Sequence, residues 1–323
     1  MKKVTRALVT GGAGFIGSHI VDELVRRGVE TLVVDDFSTG SPENLRQHAG
    51  NKLLKVYTGD IRHVGDLLRG EGEIDVVFHE AAIVSVPISV EQPMRVHDAN
   101  VNATLEVMNF CLKTKVRRLV FASSAAVYGV IHGRASEEGP CHPSSPYGAS
   151  KLAVEDYLSA YHATYGLETV ALRYFNVYGP RQRFNNGYSG VITIFANQLL
   201  NGLTPTIFGD GKQTRDFVNV ADIARANMLA AESAAAPGES FNVATGRSVS
   251  ILELFESLQA VTGRRDVRPV FAPPRPGDVR GGSASVRKIR AKLGYRPSVR
   301  LQEGLSTLLE NIKNGPGVVV SAC

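Results

Sequence analysis

Residues 10–17 read TGGAGFIG and join a short apolar run to an amphipathic segment. The run ALVTGG (7–12) predicts a buried β-strand, and GSHIVDELVRRG (17–28) predicts a helix that ends at its last glycine. Three glycines of the joint recur at every third position: Gly11, Gly14 and Gly17. Because glycine allows a tight turn and the first helical turn leaves N–H groups free, the joint can hold a phosphate group.

Short apolar runs and longer amphipathic segments alternate through the first half of the chain. The runs predicted to be strands are ALVTGG (7–12), TLVVDD (31–36), LLKVYTGD (53–60), VVFHEAA (76–82), LVFASS (119–124) and TVALRYF (169–175). Strand–helix alternation at this spacing is typical of α/β proteins whose parallel sheet is covered by helices on both faces. The sequence therefore predicts a Rossmann-type, doubly wound parallel sheet.

The composition changes near residue 178, where glycine, asparagine and proline become frequent. We expect residues 1–177 to form a nucleotide-binding domain. Residues 178–323 are expected to form a smaller, mixed α/β substrate-binding lobe, with segments partly interleaved with the first domain.

Composition narrows the class of protein. The 323 residues are 43% apolar without a run long enough to span a membrane, which predicts a soluble protein. The three cysteines form no C-x-x-C pair and the histidines lack metal-ligand spacing, so a reducing cytoplasm and no metal are expected. A net charge of +5 without a lysine or arginine cluster favours a small anionic ligand over nucleic acid.

Two acidic residues end the second and third predicted strands. Asp35 lies about 20 residues beyond the glycine turn, where a carboxylate can bind the hydroxyls of an adenine ribose. The same carboxylate would repel a 2′-phosphate, which favours NAD over NADP. Asp60 is either a contact to the adenine edge or a solvated acid at the end of a strand.

A second motif, SSPYGASK (144–151), predicts a chemical site. Tyr147 and Lys151 are four residues apart, and Pro146 favours a helix start, so both side chains should share one helical face. A tyrosine with its ordinary pKa of about 10 is a poor base at neutral pH. A lysine ammonium and an oxidised nicotinamide nearby would favour the phenolate. Such a phenolate could take a proton from a sugar hydroxyl while hydride leaves the same carbon.

Four motifs together give the chain a family resemblance: TGGAGFIG (10–17), FASSAAVYG (121–129), SPYGASK (145–151) and RYFNVYGP (173–180). From about residue 5 to about residue 310, the chain resembles the extended short-chain dehydrogenase/reductases. Within them it is similar to the NAD-dependent epimerase/dehydratase family, in particular to nucleotide-sugar epimerases of the UDP-glucose 4-epimerase type. The resemblance implies a catalytic trio of Ser124, Tyr147 and Lys151. Tyr147 would be the base, Lys151 would lower its pKa and hold the nicotinamide ribose, and Ser124 would bind the reacting 4′-oxygen.

The resemblance also implies binding residues. Those for NAD are Gly11, Gly14, Phe15, Ile16, Gly17, Asp35, Asp60, Ile61, Ala81, Ala82, Asn100, Tyr147 and Lys151. Those for a UDP-sugar are Ser124, Tyr147, Asn176, Phe208, Arg215, Arg275, Asp278 and Gly282. Arginine suits a diphosphate because its planar fork bonds phosphate oxygens in pairs.

Ala125 and Ala126 separate the expected reaction from those of relatives. Nucleotide-sugar dehydratases and decarboxylases of this family carry carboxylates at one or both of these places. Alanine cannot transfer a proton, so elimination would lack its acid and base. The expected reaction is therefore a 4-epimerisation.

Gly282 bears on the choice of sugar. Strict glucose/galactose epimerases of the family have a bulky tyrosine at the corresponding place. A glycine there would leave room beside C2 of an N-acetylated hexose, unless neighbouring side chains refill the space.

The expected function is the interconversion of UDP-glucose and UDP-galactose through a 4-keto intermediate, with UDP-GlcNAc and UDP-GalNAc as a second substrate pair to be tested. The alternatives are an epimerase specific for UDP-GlcNAc or UDP-glucuronate, a nucleotide-sugar dehydratase, and a non-catalytic NAD-sensing protein. Family members pair as homodimers through a four-helix bundle, which here would use helices near 100–113 and 147–165. Their apolar residues are Val101, Leu105, Met108, Leu112, Leu152, Val154, Leu158 and Tyr161, and packing on the sheet is the other use for them.

Overall fold

The computed structural model describes residues 3–131, 133–183, 190–274 and 281–314. The strands in these ranges are β1 (Arg6–Thr10), β2 (Glu30–Asp35), β3 (Leu54–Thr58), β4 (Val76–His79), β5 (Arg118–Ser124), β6 (Arg134–Ala135), β7 (Glu168–Tyr174), β8 (Asn176–Tyr178), β9 (Thr206–Phe208), β10 (Thr214–Arg215), β11 (Phe217–Asn219), β12 (Glu239–Val243), β13 (Val249–Ser250), β14 (Val270–Ala272) and β15 (Ser283–Ala284).

The α-helices are α1 (Phe15–Arg26), α2 (Val64–Leu67), α3 (Val86–Glu91), α4 (Pro93–His97), α5 (Ala103–Lys113), α6 (Pro146–Tyr165), α7 (Val191–Leu200), α8 (Val220–Glu232), α9 (Ile251–Thr262), α10 (Arg287–Leu293) and α11 (Leu301–Asn314). Short 3₁₀ turns cover Pro42–His48, Ile61–His63 and Ala125–Tyr128, and a π-helical turn, Asp98–Asn102, leads into α5. Among the described helices, none has the length and apolar character that crossing a membrane requires.

The central sheet is parallel throughout, with the strand order β3-β2-β1-β4-β5-β7-β12. This confirms the predicted Rossmann-type fold and all six predicted strands. The strand order reverses between β1 and β4, and open α/β sheets bind their ligands outside the carboxyl ends of the strands at such a point.

The sheet has one strand, β12, that the sequence pattern did not predict. Its residues ESFNV bury Phe241 and Val243, but Asn242 is buried as well. The amide of Asn242 is satisfied because its Oδ1 accepts a hydrogen bond of 2.7 Å from the Tyr128 hydroxyl. Because the polar Asn242 interrupts the five-residue run ESFNV, the run lacks the continuous apolar pattern by which a core strand is recognised in a sequence.

Two apolar layers cover the sheet because alternate residues of each strand point to opposite faces. On β1, Val9 packs into the layer of α1 and α8, while Leu8 packs into the layer of α5 and α6. Both side chains are fully buried, and each such burial stabilises the fold by roughly 1.5–3 kcal/mol.

The second half of the chain has a core of its own, in which α7, α9 and α11 pack together. Phe195 of α7 meets Phe255 of α9 edge to face, with ring centroids 6.1 Å apart. Since β12 also comes from the second half but lies in the central sheet, the two halves of the chain are interleaved there. The domain boundary at residue 178 stays a prediction.

Candidate active site

The turn after β1 has no space for side chains. Gly11 has a φ of +67°, and a Cβ there would lie 2.7 Å from the backbone N of Ala81, just beyond β4. A Cβ on Gly17 would lie 2.2 Å from the carbonyl oxygen of Gly11. The chain thus brings the predicted residues Gly11, Gly17 and Ala81 together at the switch point of the sheet. Ala82 follows directly in sequence.

Helix α1 begins at Phe15, after Gly14 in extended backbone. Phe15, Ile16 and Gly17 form its first turn, where N–H groups lack partners inside the helix. A bare backbone cradle that ends in a helix N-terminus suits the pyrophosphate of a dinucleotide, so these residues fit the predicted cofactor.

Asp35 ends β2 and is buried beside the same turn. Its carboxylate accepts hydrogen bonds from the backbone N–H groups of Ala13 (2.9 Å) and Phe37 (2.8 Å). Burial raises the pKa of Asp35, although these two hydrogen bonds and the charge of Arg183 lower it. Arg183 also donates to the carbonyl of Gly40, at 2.8 Å, and sequence reasoning gave no signal for this cation.

Asp60 and Ile61 have local roles in the structure. Asp60 accepts a hydrogen bond from the backbone N–H of Arg62 (2.8 Å), which caps the turn Ile61–His63, and it pairs with the guanidinium of Arg62 at 2.6 Å. Ile61 is buried in the core. The cap accounts for Asp60 without a ligand, so its contact to the adenine edge stays a prediction.

Asn100 ties the segment after β4 to α6. Its side chain accepts from the N–H of Ile83 (2.8 Å) and donates to the carbonyl of Ile83 (3.0 Å) and the hydroxyl of Ser150 (3.1 Å). It lies in the π-helical turn that precedes α5, and such turns are frequent at functional sites. Asn100 therefore links Ile83 to Ser150, the residue before Lys151.

Ser124, Tyr147 and Lys151 meet at the carboxyl end of β5. Ser145 begins α6 by accepting the N–H of Gly148 at 3.1 Å, which sets Tyr147 and Lys151 in its first two turns on one face. Tyr147 is hydrogen-bonded to Ser124, and the ammonium of Lys151 donates to the carbonyl of Ala122 at 2.7 Å. The two α6 side chains are almost fully buried.

The electrostatics of the trio differ from the expectation that Lys151 lowers the pKa of Tyr147. Burial raises the pKa of Tyr147, the hydrogen bond with Ser124 lowers it, and the charge of Glu80 raises it. Burial also lowers the pKa of Lys151 to about 8, while the charges of Glu80 and Glu155 raise it. Lys151 is directed to Ala122 and lies 4.6 Å above the ring of Phe121 rather than on the phenol. Tyr147 therefore needs a positive charge in addition to Lys151 to lower its pKa before it can act as a base.

Glu80 is a site residue that the sequence analysis missed. It follows β4 directly and accepts a hydrogen bond of 2.8 Å from the hydroxyl of Tyr174. Burial raises its pKa to about 7, while Tyr174 and the charge of Lys151 lower it. Its position at the end of a buried strand, in VVFHEAA, was the available signal.

A buried ion pair lies next to the trio. Glu155, one turn beyond Lys151, pairs with Arg173 of β7 at 2.6 Å, and both side chains are below 8% exposed. Glu155 also accepts from the hydroxyl of Ser123, the neighbour of Ser124. Arg173 donates to the hydroxyl of Tyr128 at 2.8 Å. These contacts join α6, β5 and β7 where the trio lies.

Ala125 and Ala126 form the start of the 3₁₀ turn after β5, and Ser124 accepts the N–H of Ala126 at 3.1 Å. A Cβ on Gly148 would lie 2.5 Å from the carbonyl of Ala126, so the turn and α6 pack without side chains between them. Ala125 and Ala126 offer only backbone and methyl groups beside Ser124, and neither side chain can transfer a proton.

Three of the predicted sugar-nucleotide residues, Asn176, Phe208 and Arg215, lie on the short strands β8, β9 and β10. Asn176 donates to the carbonyl of Asp216 at 3.3 Å, and Phe217 of β11 pairs with Asn176 of β8, which brings Arg215 near Asn176. Arg215 donates to the carbonyl of Thr214, and Phe208 is half-buried at the end of β9. The predicted contacts Arg275 and Asp278 lie outside the described residues.

Gly282 is closely packed. A Cβ there would lie 2.9 Å from Cβ and 3.0 Å from Cγ2 of Ile131. The space that a bulky residue at 282 would need is filled by Ile131. We expected a glycine at position 282 to leave room beside C2 of an N-acetylated hexose. In the structure Ile131 limits that space, as in the alternative that neighbouring side chains refill it.

Known proteins match the chain over nearly its whole length. A profile of the NAD dependent epimerase/dehydratase family matches residues 7–244. A UDP-glucose 4-epimerase from Mycolicibacterium smegmatis is 40% identical over 313 residues, which cover 96% of this chain and 99% of the relative.

Two solved structures are similar in sequence and in fold. The UDP-glucose 4-epimerase of Thermotoga maritima with UDP-glucose is 40% identical, with a TM-score of 0.87, over 96% of this chain and 99% of that chain. The UDP-N-acetylglucosamine 4-epimerase of Methanobrevibacter ruminantium in complex with UDP-N-acetylmuramic acid is 38% identical, with a TM-score of 0.91, over 97% and 99%.

Proposed function

The chain belongs to the NAD-dependent epimerase/dehydratase family, and from this membership we propose that it is a UDP-hexose 4-epimerase that interconverts UDP-glucose and UDP-galactose. UDP-GlcNAc and UDP-GalNAc are proposed as a second substrate pair. The observation that carries the proposal is the constellation of the half-buried Ser124 with the buried Tyr147 and Lys151, near a glycine turn that fits NAD.

The proposed reaction divides the work among the three side chains. NAD⁺, which the glycine turn and Asp35 would hold, would supply the hydride-transfer chemistry at C4 of the sugar. Tyr147 takes the proton of the 4′-hydroxyl and later gives it back, which leaves the protein unchanged after each cycle. Ser124, in hydrogen-bond contact with Tyr147, holds the same oxygen. Lys151 supplies fixed positive charge in the buried site.

Other reactions of the family receive less support from these residues. Elimination of water needs an acid and a base beside Ser124, where this chain has Ala125 and Ala126. A non-catalytic NAD-sensing role would leave the intact trio unexplained. An epimerase restricted to UDP-GlcNAc or UDP-glucuronate is the remaining alternative, because the resemblance assigns Arg275 to the diphosphate and Asp278 to the ribose of UDP, which all these substrates share.

Product analysis tests the proposal directly. The purified protein is incubated separately with UDP-glucose, UDP-GlcNAc and UDP-glucuronate, with and without added NAD, and the products are identified by NMR. We expect the 4-epimer of UDP-glucose. Absence of a 4-epimer from every sugar, even with added NAD, would refute the proposal, and a 4-keto-6-deoxy product would assign a dehydratase instead.

We expect Ile131→Ala to change the choice of sugar. The variant removes branched carbons that fill the place beside Gly282, which the sugar is proposed to approach. The ratio of kcat/KM for UDP-GlcNAc to that for UDP-glucose should rise on the order of tenfold, since a few methyl groups are worth that much discrimination. The neighbouring Val130→Ala, at a side chain 53% exposed, is the matched control. Equal ratios in the two variants would remove Ile131 from the sugar pocket.

We propose that the protein is a homodimer in solution. Four of the expected interface residues, Val101, Met108, Val154 and Leu158, are buried within one chain, so packing on the sheet accounts for them. Support comes instead from the outer face of α6, where Tyr157 is 43% and Tyr165 is 59% exposed.

The dimer predicts that light scattering after gel filtration gives twice the chain mass of 34.8 kDa. Because two large aromatic side chains on one face favour association, Tyr157→Asp with Tyr165→Asp should shift the mass to that of the monomer. A wild-type protein that elutes with the mass of one chain would contradict the prediction.

We further propose a cytoplasmic location. Cys111 and Cys141 are free thiols, and Cys111 is fully buried. Burial raises the pKa of both thiols, which suits unreactive structural cysteines in a reducing compartment.

A further inference from the structure

Glu80 is held at the edge of the trio by a chain of hydrogen bonds. The amide of Asn227, on α8, donates to the hydroxyl of Tyr174 at 2.8 Å. Tyr174 in turn donates to Oε1 of Glu80 at 2.8 Å. Because Tyr174 already accepts from Asn227, its own proton is directed to the carboxylate.

The second carboxylate oxygen of Glu80 has a different environment. No hydrogen bond from the described part of the chain reaches Oε2, and that atom is not among the enclosed polar atoms without partners. Glu80 follows β4 at the switch point of the sheet, where Gly11 packs against the backbone of residues 80 and 81. Oε2 therefore retains some solvent-accessible surface.

The charged and titratable groups around Glu80 come from two neighbouring elements. Helix α6 contributes Lys151 and Tyr147, and β7 contributes Tyr174. His79, the preceding residue, is turned away and lies between the hydroxyls of Thr10 (2.6 Å) and Thr104 (2.8 Å). In the described part of the chain, the glycine turn and α8 place no charge on Glu80.

We propose that Glu80 is a positioning residue of the epimerase reaction, whose carboxylate, fixed by Tyr174 at the end of β4, is the counter-charge for the buried ammonium of Lys151, which is bonded to Ala122 on the adjacent strand β5. This inference rests on the proposed function. Burial removes the ammonium group from water, and a nearby carboxylate restores much of the lost stabilisation of the charge. The charge of Glu155 also raises the pKa of Lys151, but Glu155 is already paired with Arg173.

The direction of the expected pH shift follows from the effect of Glu80 on Lys151 and Tyr147. The charge of Glu80 raises the pKa of Lys151 and also that of Tyr147. Glu80→Gln keeps the shape of the side chain and removes the charge, so both pKa values should fall. The bell-shaped pH dependence of kcat/KM should then move to lower pH on both limbs, with the greater loss of activity on the alkaline side.

The experiment measures kcat/KM for UDP-galactose against pH in the wild type, Glu80→Gln and Glu80→Asp. Glu71→Gln is the control, because Glu71 is a partly buried carboxylate paired with Arg6 at the opposite edge of the sheet. We expect the Gln profile to shift, the Asp profile to return toward the wild type, and the control to coincide with it. Bound NAD, released by denaturation and quantified, should be equal in all four proteins.

Two results would overturn the inference alone: coincident profiles for wild type and Glu80→Gln, or equal shifts for Gln and Asp. If Glu80→Gln does not fold, Tyr174→Phe provides the test. It removes the hydrogen bond that lowers the pKa of Glu80, so a shift in the same direction is expected and an unmoved profile overturns the inference. A wild type without epimerase activity at any pH would overturn the proposed function and this inference together.

Discussion

Replacing Tyr147 by phenylalanine is expected to lower kcat by about 10²–10⁴-fold or more and to leave the fold intact. The ring of Tyr147 is only 8% exposed, and phenylalanine fills the same space in α6. The variant therefore removes one hydroxyl group, together with its hydrogen bond to Ser124. Because the hydroxyl is lost from a buried position, no water molecule is expected to replace it as a base.

Cofactor content separates this prediction from a folding defect. Most of the predicted NAD contacts near the phosphates and the adenine ribose come from the glycine turn and Asp35, on β1, α1 and β2, and phenylalanine keeps the ring of residue 147, so Tyr147→Phe should retain bound NAD and the wild-type melting temperature. Tyr157→Phe changes an exposed tyrosine of the same helix and serves as the control. A Tyr147→Phe enzyme within tenfold of the wild-type rate would exclude Tyr147 as the base.

The parts of the fold that could be predicted are those with a local signal. The glycine turn, six core strands and the start of α6 at Pro146 each depend on a few adjacent residues. Tyr147 and Lys151 could be placed on one face because helical spacing fixes it. Ser124 followed from a resemblance, since one serine at a strand end has no signal of its own.

The features that could not be predicted depend on contacts across the sheet. Glu80 gains its role only when β4 and β7 place it against Tyr174, which is 94 residues away in sequence. Likewise, Gly282 suggested an open space, but Ile131 from a different segment fills it. Neither pairing has a spacing rule from which it could have been inferred.

The ion pair of Glu155 with Arg173 is another contact that the sequence did not reveal. Breaking it is expected to lower the free energy of unfolding more than any other change proposed for this protein. Both side chains are nearly inaccessible, and Arg173 donates to Glu155 from Nε (3.0 Å) and Nη2 (2.6 Å). Burial works to lower the pKa of Arg173, but the hydrogen bonds and charge of Glu155 raise it above its ordinary value. Arg173 therefore stays charged, and its stabilisation depends on Glu155.

Glu155→Met is expected to lower the free energy of unfolding by about 3–5 kcal/mol, because it leaves the Arg173 cation buried without its partner. The double variant Glu155→Met with Arg173→Met should recover most of this loss, since two apolar side chains of similar volume need no charge compensation. Urea denaturation measures the free energies, and Asp66→Asn, in an exposed pair with Arg69, is the control with little expected change.

The same variants test whether the ion pair also orients the trio. Glu155 accepts from Ser123 next to Ser124 and lies one turn beyond Lys151, so its loss should loosen α6 against β5. We therefore expect kcat to fall in Glu155→Met even where the protein is fully folded, and to remain low in the double variant although its stability returns. Recovery of kcat together with stability would show that the pair serves the fold alone, because packing without the hydrogen bond to Ser123 would then suffice to hold the catalytic geometry.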